Sequence, residues 1–260
     1  MIRPTILFIA FCGLLLACSP KPPDSTLVVG MDLSYPPFET IDAAGQPVGV
    51  SVEIAQALAD YLKRPLQIEN LPFTGLIPSL QNGRLDCVIS SMTDTPERRQ
   101  SIAFSDPYLT IGISLLVGKD SGIASLADVD IPGKTVVVRQ GTTGEQWARQ
   151  NITKATVISL EKENAAVLEV IQGKAAAFIY DQMSIWQNAQ KNPETTRAIL
   201  EPIRKESWAI GIRRTDTDLK NQINEFLKSY RTEGGFEKLG DKYLKEQKAA
   251  FENEGVPFYF

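Results

Sequence analysis

The chain has 260 residues, 43% of them hydrophobic and 22% charged, with a net charge of −4. That is ordinary for a globular protein with room for one large domain or two small lobes, and no long basic run supplies the electrostatic footprint of a nucleic-acid binder. With no histidine and three cysteines, a His/Cys zinc centre and a Ser-His-Asp triad are both excluded. Acid–base chemistry is left to carboxylates, Tyr, Lys and Arg, and no cofactor or metal is expected.

At the N-terminus Arg3 precedes the apolar run ILFIAFCGLLLA at 6–17, too short for the roughly 20 residues of a membrane span and built like the apolar region of a secretory signal. Residues 1–17 are expected to be a signal peptide. The run ends in Leu15-Leu16-Ala17-Cys18 followed by Ser19, which resembles a bacterial lipoprotein signal. The resemblance implies lipidation of Cys18 as the first mature residue; the alternatives are an uncleaved anchor or a plain signal with an incidental cysteine. Residues 18–26 then form a Pro-rich tether. Without Cys12 and Cys18 as free thiols, Cys87 has no partner for an intramolecular disulfide and reads as a small packing residue.

The folded part begins at Leu27. LVVG reads as a strand, and the two prolines of MDLSYPPFET impose a loop. SVEIAQALADYLK at 51–63 carries Val52, Ala55, Leu58, Ala59 and Leu62 at helical spacing, with Ser51 as N-cap. A strand at 67–69, a short helix at 74–81 and the strand LDCVIS follow. Thr95 then caps a helix with Pro96 at its first position. The second half repeats this order: strand TVVVRQ, a turn and helix from GTTGEQWARQ, a strand at 156–159, a helix at 164–171, strand AAAFIYD, a further helix, and strand WAIGIRR. Two helical stripes end the chain, Leu219/Ile223/Phe226/Leu227/Tyr230 and Phe236/Leu239/Tyr243/Leu244. Alternating strands and helices indicate an α/β protein with a largely parallel sheet, here in two lobes. The extended apolar runs at 111–117 and 208–212 are candidate crossings between them.

Candidate binding residues gather where strands end, since α/β proteins bind ligands beyond the carboxyl ends of their strands. ISSMTDTPER places Ser90, Ser91 and Thr93 there, followed by Arg98 in the first turn of a helix, where a cation opposes the helix dipole. A bound carboxylate would resolve that conflict; the alternative is a solvated surface arginine. The Gly141–Gly144 turn offers backbone N–H groups from Thr143 as an anion nest, but lacks the Gly-Lys-Ser/Thr of a phosphate loop. Asp181 ends a strand, either to cap the next helix or to bind a cation. Asp32 ends the first strand near Tyr35, and Tyr35 and Phe73 serve either as an aromatic wall or as core. Together these groups complement a zwitterion.

The stretches VGMDLSYPPFE, GVSVEIAQALA, FTGLIPSLQNGRLDCVISSMTDTPERRQSIAFSDPY, VVVRQGTTGE and AAAFIYD, in that order within residues 26–245, resemble bacterial extracellular solute-binding proteins of the polar amino-acid type. The resemblance implies a two-lobed periplasmic-binding-protein-like fold of type II, with two crossing strands as hinge. It implies lobe 1 over 27–112 plus 208–260 and lobe 2 over 113–207. It implies a non-enzymatic, monomeric receptor, lipid-anchored in the periplasm or at the cell surface, that passes a free polar amino acid, glutamine-like or basic, to an ABC transporter permease. By the same resemblance Arg98, helped by the Thr143 backbone, clamps the α-carboxylate and Asp181 holds the α-ammonium. Ser90, Ser91 and Thr93 add hydrogen bonds, Tyr35 stacks on the ligand, Phe73 packs beside it, and Asp32 faces its side chain. Arg139 stands where many relatives are uncharged. Inside the cleft it would disfavour a cationic side chain and, with Asp32, suit a neutral amide; alternatively it pairs with a protein carboxylate. Two other functions share this fold: elimination of water and carbon dioxide from prephenate-like acids, which requires a protonated carboxylic acid, and ligand sensing. The tail FENEGVPFYF lies beyond the resemblance.

Overall fold

A computed structural model describes residues 26–256. The signal peptide, Cys18 and the tether up to Ser25 lie outside the described residues, as does the end of the tail. Strand β1 (Leu27–Met31) leads through the hairpin β2 (Thr40–Ile41) and β3 (Pro47–Val48) to α1 (Val50–Leu62), β4 (Leu66–Asn70), α2 (Phe73–Gln81), β5 (Cys87–Val88) and the single turn α3 (Pro96–Arg99). A long strand, β6 (Ala103–Gly118), carries the chain into β7 (Thr135–Arg139), α4 (Thr143–Asn151), β8 (Thr156–Leu160), α5 (Glu163–Ile171), β9 (Ala177–Asp181) and α6 (Gln182–Lys191). The return strand β10 (Thr196–Ile212) precedes α7 (Thr217–Thr232), α8 (Gly235–Tyr243) and α9 (Lys245–Asn253).

These strands form one eight-stranded sheet in the order β4-β1-β5-β10-β6-β9-β7-β8. Lobe 1 is built on β4, β1 and β5, which are mutually parallel; lobe 2 is built on β9, β7 and β8, also parallel. Between them β6 and β10 run antiparallel to each other and to their outer neighbours. The sheet is therefore mixed rather than largely parallel. The crossing runs read at 111–117 and 208–212 are segments of these two strands. They extend further because pairing between them carries polar residues such as Thr110 opposite Ser207 and Arg204–Lys205 that an apolar pattern does not mark.

Both faces of the lobe 1 sheet are covered, which is why its strands read as unbroken apolar runs. Leu27, Val29 and Met31 share a core with Ile54 and Leu58 of α1, while Val28 packs with Leu76 and Leu80 of α2 on the opposite face. Helix α1 begins at Val50 after Gly49, not at Ser51. Gly49 has φ 124°, and a Cβ there would sit 2.4 Å from the Phe38 carbonyl oxygen, so only glycine admits this entry. Ser51 is buried inside the helix and donates to Glu39 instead of capping. Strand β5 is shorter than LDCVIS at both ends, keeping only Cys87 and Val88. Cys87 is fully buried in it, with its thiol pushed up by desolvation, in keeping with a packing role. Helix α9 leaves lobe 1 and seats Phe251, 1% exposed, edge-to-face on Trp186 of α6 in lobe 2, with ring centroids 6.5 Å apart. Among the described residues no helix is long and apolar enough to cross a membrane.

Candidate ligand-binding site

The strand ends of both lobes meet across a cleft. Asp32, Tyr35, Phe73, Ser90, Ser91, Thr93 and Arg98 from lobe 1 and Arg139, Thr143 and Asp181 from lobe 2 all line one inner cavity of about 30 Å³. Asp32, Phe73 and Arg139 also line an outer cavity of about 530 Å³ that continues between the lobes. The inner space is of the order of one water, whose share of the liquid is about 30 Å³. Cross-lobe bonds between side chains occupy the rest.

On the lobe 1 side, the chain after β5 places Ser91 at φ 49°, a left-handed conformation rare for a residue with a side chain and costing about 1 kcal/mol or more. This kink brings both serine hydroxyls onto Glu39: Ser90 Oγ donates to Oε1 at 3.2 Å and Ser91 Oγ to Oε2 at 3.0 Å, while Ser51 Oγ reaches Oε2 at 2.6 Å. Burial pushes the Glu39 carboxyl up to about 8, against the lowering effect of those hydroxyls. Thr95 caps α3 by accepting from the Arg98 N–H at 3.2 Å. Because α3 is one turn long, the dipole argument for Arg98 has little force; position matters instead. Its guanidinium donates to the Thr93 carbonyl at 2.7 Å and across the cleft to the Gly141 carbonyl at 3.1 Å, and lies 5.3 Å from the Phe73 ring centroid. Desolvation lowers its pKa to about 10, which leaves it a cation at neutral pH.

On the lobe 2 side, β7 delivers Arg139 and the turn that follows starts α4. Thr142 caps α4, and Thr143 Oγ1 donates to Glu206 Oε2 at 2.6 Å. A Cβ on Gly144 would meet the Ile179 carbonyl oxygen at 2.7 Å, so glycine lets the head of α4 press against β9. Asp181 takes the capping role and also faces the cleft. It caps α6, accepting from the Ser184 N–H at 2.9 Å, and faces the cleft, accepting from the Tyr35 hydroxyl of lobe 1 at 2.6 Å. Desolvation raises its carboxyl to about 7. Arg139 likewise combines its two readings: it pairs with a protein carboxylate, Asp32, at 2.6 Å, and that pair lies in the cleft.

Sequence reasoning missed Glu39, Tyr180, Glu206 and Trp208, which share the inner cavity. Glu206 sits on β10 where it crosses between lobes; besides Thr143 it accepts from Thr93 Oγ1 at 2.8 Å and from both ends of the Arg204 fork. Tyr35 stacks on Phe38 and meets Trp208 edge-on. Glu39 stands at the end of the YPPFE stretch, Tyr180 beside Asp181 in AAAFIYD and Trp208 at the head of the second crossing run, but only Glu206 lies outside every stretch the sequence singled out.

A charged donor and a buried carboxylate thus face one cavity from opposite lobes, with hydroxyls and aromatic faces between them. Two α/β lobes joined by two crossing strands around such a cavity define the class of two-lobed solute-binding proteins. The comparisons specify the family. Residues 27–246 match the model for bacterial extracellular solute-binding proteins, family 3, and the chain belongs to that family. It is 30% identical over 220 residues to the L-cystine-binding protein TcyJ of Escherichia coli, covering 84% of this chain and 82% of that protein. It is 28% identical over 228 residues to the histidine-binding periplasmic protein of Salmonella typhimurium (83% and 86% covered). Among solved structures, a binding component of an ABC transporter from Wolinella succinogenes complexed with lysine aligns with TM-score 0.79 and 31% identity, over 85% of this chain and 96% of that one. The ancestral amino acid-binding protein AncCDT-1, a precursor of cyclohexadienyl dehydratase, aligns at 0.77 with 36% identity, over 84% and 95%.

Proposed function

We propose that the protein is an extracytoplasmic receptor that closes its lobes on a free polar amino acid and hands it to an ABC importer. It does so as a monomer held to the membrane by a lipid on Cys18. The lobes are 27–112 with 208–260, and 113–207. The reading rests above all on Arg98 and Asp181, opposite in charge, lining one cavity from opposite lobes. Arg98 and the Thr143 turn take the α-carboxylate, Asp181 takes the α-ammonium, Ser90, Ser91 and Thr93 hydrogen-bond the ligand, and Tyr35 and Phe73 cover it. The relatives' names, for cystine, histidine and lysine, support the same class of ligand. A micromolar ligand needs about −8 kcal/mol. For about ten heavy atoms that is near 0.8 kcal/mol per atom, well above the ~0.3 typical of drug-sized ligands; the cleft meets that demand by opening and then closing on the ligand, with cross-lobe bonds such as Tyr35–Asp181 and Arg98–Gly141 exchanged for bonds to it. Thermal unfolding of the purified protein against all common amino acids and L-cystine tests the proposal, since only a ligand of the folded state raises Tm by mass action. No shift with any of them would end it.

One observation favours a second reading. Glu39 is a carboxyl buried in the cavity under three serine hydroxyls, and burial pushes it up to about 8, towards the protonated acid that an elimination of the prephenate or arogenate type would require. The likeness to AncCDT-1 connects the two readings, since that protein is an amino acid-binding protein and a precursor of a dehydratase. Loss of added prephenate or arogenate, followed spectroscopically, would make the protein an enzyme; unchanged substrate would leave it a receptor.

A further inference from the structure

One side chain braces the bend at Ser91. Backbone bonds fix the chain on either side of it: the Ile89 N–H donates to the Gly30 carbonyl of β1 at 3.2 Å, and the Met92 carbonyl accepts from the Ala209 N–H of β10 at 3.1 Å. Ser90 and Ser91 stand between these ties. Glu39 reaches both of them, with Ser90 Oγ on Oε1 and Ser91 Oγ on Oε2. Ser51 Oγ, also on Oε2, anchors the carboxyl to α1. The Glu39 backbone is itself fixed by a two-way pair with Tyr35, at 2.8 and 2.9 Å. The residue is 1% exposed, and three of the roughly four acceptor positions of a carboxylate are used. A protonated carboxyl keeps the same three contacts, donating to one hydroxyl and accepting from the others.

From this arrangement we infer that Glu39 is a positioning residue of the binding site: it holds Ser91 in its left-handed conformation and so keeps the Ser90–Ser91 bend at the cavity. The inference rests on the receptor reading proposed above. Among the described residues only Lys63 and Ser91 carry a side chain at positive φ; the other nine such positions are glycine. Lys63 ends α1, where this conformation is an ordinary helix cap. Ser91 ends no helix and lines the inner cavity. A left-handed residue with a Cβ persists only where its surroundings over-determine it, and the hydroxyl that glycine lacks is what Glu39 grips. Ser90 Oγ is held twice, by Glu39 and by the Asp32 N–H at 2.9 Å. Both hydroxyls are therefore oriented before a ligand arrives, which spares binding the entropy of ordering them. Because Glu39 also pairs with the Tyr35 backbone, one residue sets the serine bend and the Tyr35 ring in register.

The test compares glycine with alanine at position 91, with and without Glu39. Both substitutions remove the hydroxyl; they differ only in the Cβ that a φ of 49° disfavours. Calorimetric titration with L-glutamine, L-cystine, L-arginine, L-lysine and L-histidine first finds which of these the unmodified protein binds, and that compound is the probe throughout. With Glu39 present, Ser90 still ties the bend, so Ser91→Gly and Ser91→Ala should bind within about twofold of each other. In the Glu39→Ala background nothing holds the bend, and Ser91→Gly should bind at least about fivefold more tightly than Ser91→Ala, the factor that the left-handed penalty of a Cβ implies. The same pair made in Glu39→Leu, which keeps the bulk of the side chain, gives the comparison a second background should Glu39→Ala not fold. Glu39→Gln retains an acceptor and a donor for the serines and should recover most of the affinity that Glu39→Ala loses. Thermal unfolding without ligand reads stability separately, and a loss of stability alone would leave the glycine-to-alanine ratio unmoved. Equal affinities of the two position-91 variants in the folded Glu39→Ala or Glu39→Leu proteins would overturn the positioning role, as would the same glycine advantage with Glu39 in place. Absence of binding of all five amino acids by the unmodified protein would instead refute the underlying receptor reading.

Discussion

Replacing Arg98 by alanine removes the group on which the receptor reading depends most. Of the five N–H donors on a guanidinium, two are engaged within the protein, with the Thr93 and Gly141 carbonyls. Three remain for a ligand carboxylate. Truncating one partner of a buried, hydrogen-bonded charge pair costs about 2–5 kcal/mol, and at 1.4 kcal/mol per factor of ten that is a loss of about 30- to 4,000-fold in affinity. The structural bonds lost are two carbonyl contacts, and deleting the arginine also removes the cost of burying its charge, so the fold should survive with reduced stability. Isothermal titration with the tightest amino acid found for the unmodified protein gives the affinity, and thermal unfolding without ligand gives the stability. Arg98→Lys should fall between, since it keeps the charge and loses the planar fork. A folded Arg98→Ala protein that binds within about threefold of the original, less than 0.7 kcal/mol, would show that the carboxylate is held elsewhere.

Affinity should depend on pH through Asp181. Its carboxyl is raised to about 7 by burial, and an incoming ammonium favours the ionised form, so binding must expel a proton below that pH. Kd should rise by up to about tenfold per pH unit on acidification below 7, and Asp181→Asn should weaken binding and remove this slope; a Kd constant from pH 5 to 8 would contradict the ammonium assignment. Stability should run the other way. Glu39, raised to about 8 in the folded protein, keeps a proton that the unfolded chain releases near 4.5. Stability is thus greatest below pH 4.5 as far as this group is concerned, and falls by up to about 1.4 kcal/mol per unit as pH rises towards 8. Urea unfolding at several pH values should show a flatter profile in Glu39→Gln, and an identical profile would mean that Glu39 is ionised. Phe251→Ala, which empties a buried ring site against Trp186 of lobe 2, should cost about 3–5 kcal/mol in the same experiment; a change below 1 kcal/mol would mean α9 is only loosely docked.

How much was legible beforehand depended on the range of the interaction. Helical stripes, strand ends and caps are local, so α1, α7, the Thr95–Pro96 start of α3 and the placement of Asp181 and Arg98 at strand or helix ends could be read from spacing alone. The joining strands could not be delimited. The polar parts of β6 and β10 are strand because they pair with each other from nearly a hundred residues away, and only their apolar cores announced themselves. The first turn of α1 went astray for the same reason, since Ser51 finds Glu39 in space rather than a free N–H at the helix start.

By itself the sequence determined the chemistry available: no histidine, a cleft-edge run of hydroxyls ending in an arginine, carboxylates after apolar strands, and a family likeness spanning the folded part. Only the tertiary structure decided which charges face which. Asp32 meets Arg139 across 107 positions of chain and Tyr35 meets Asp181 across 146. Burial, not residue type, then pushes the Glu39 carboxyl up, whereas Arg98 stays a cation despite burial because a guanidinium starts from so high a pKa. Solvation and pairing depend on what surrounds a group in space, and that is set only when the two lobes come together.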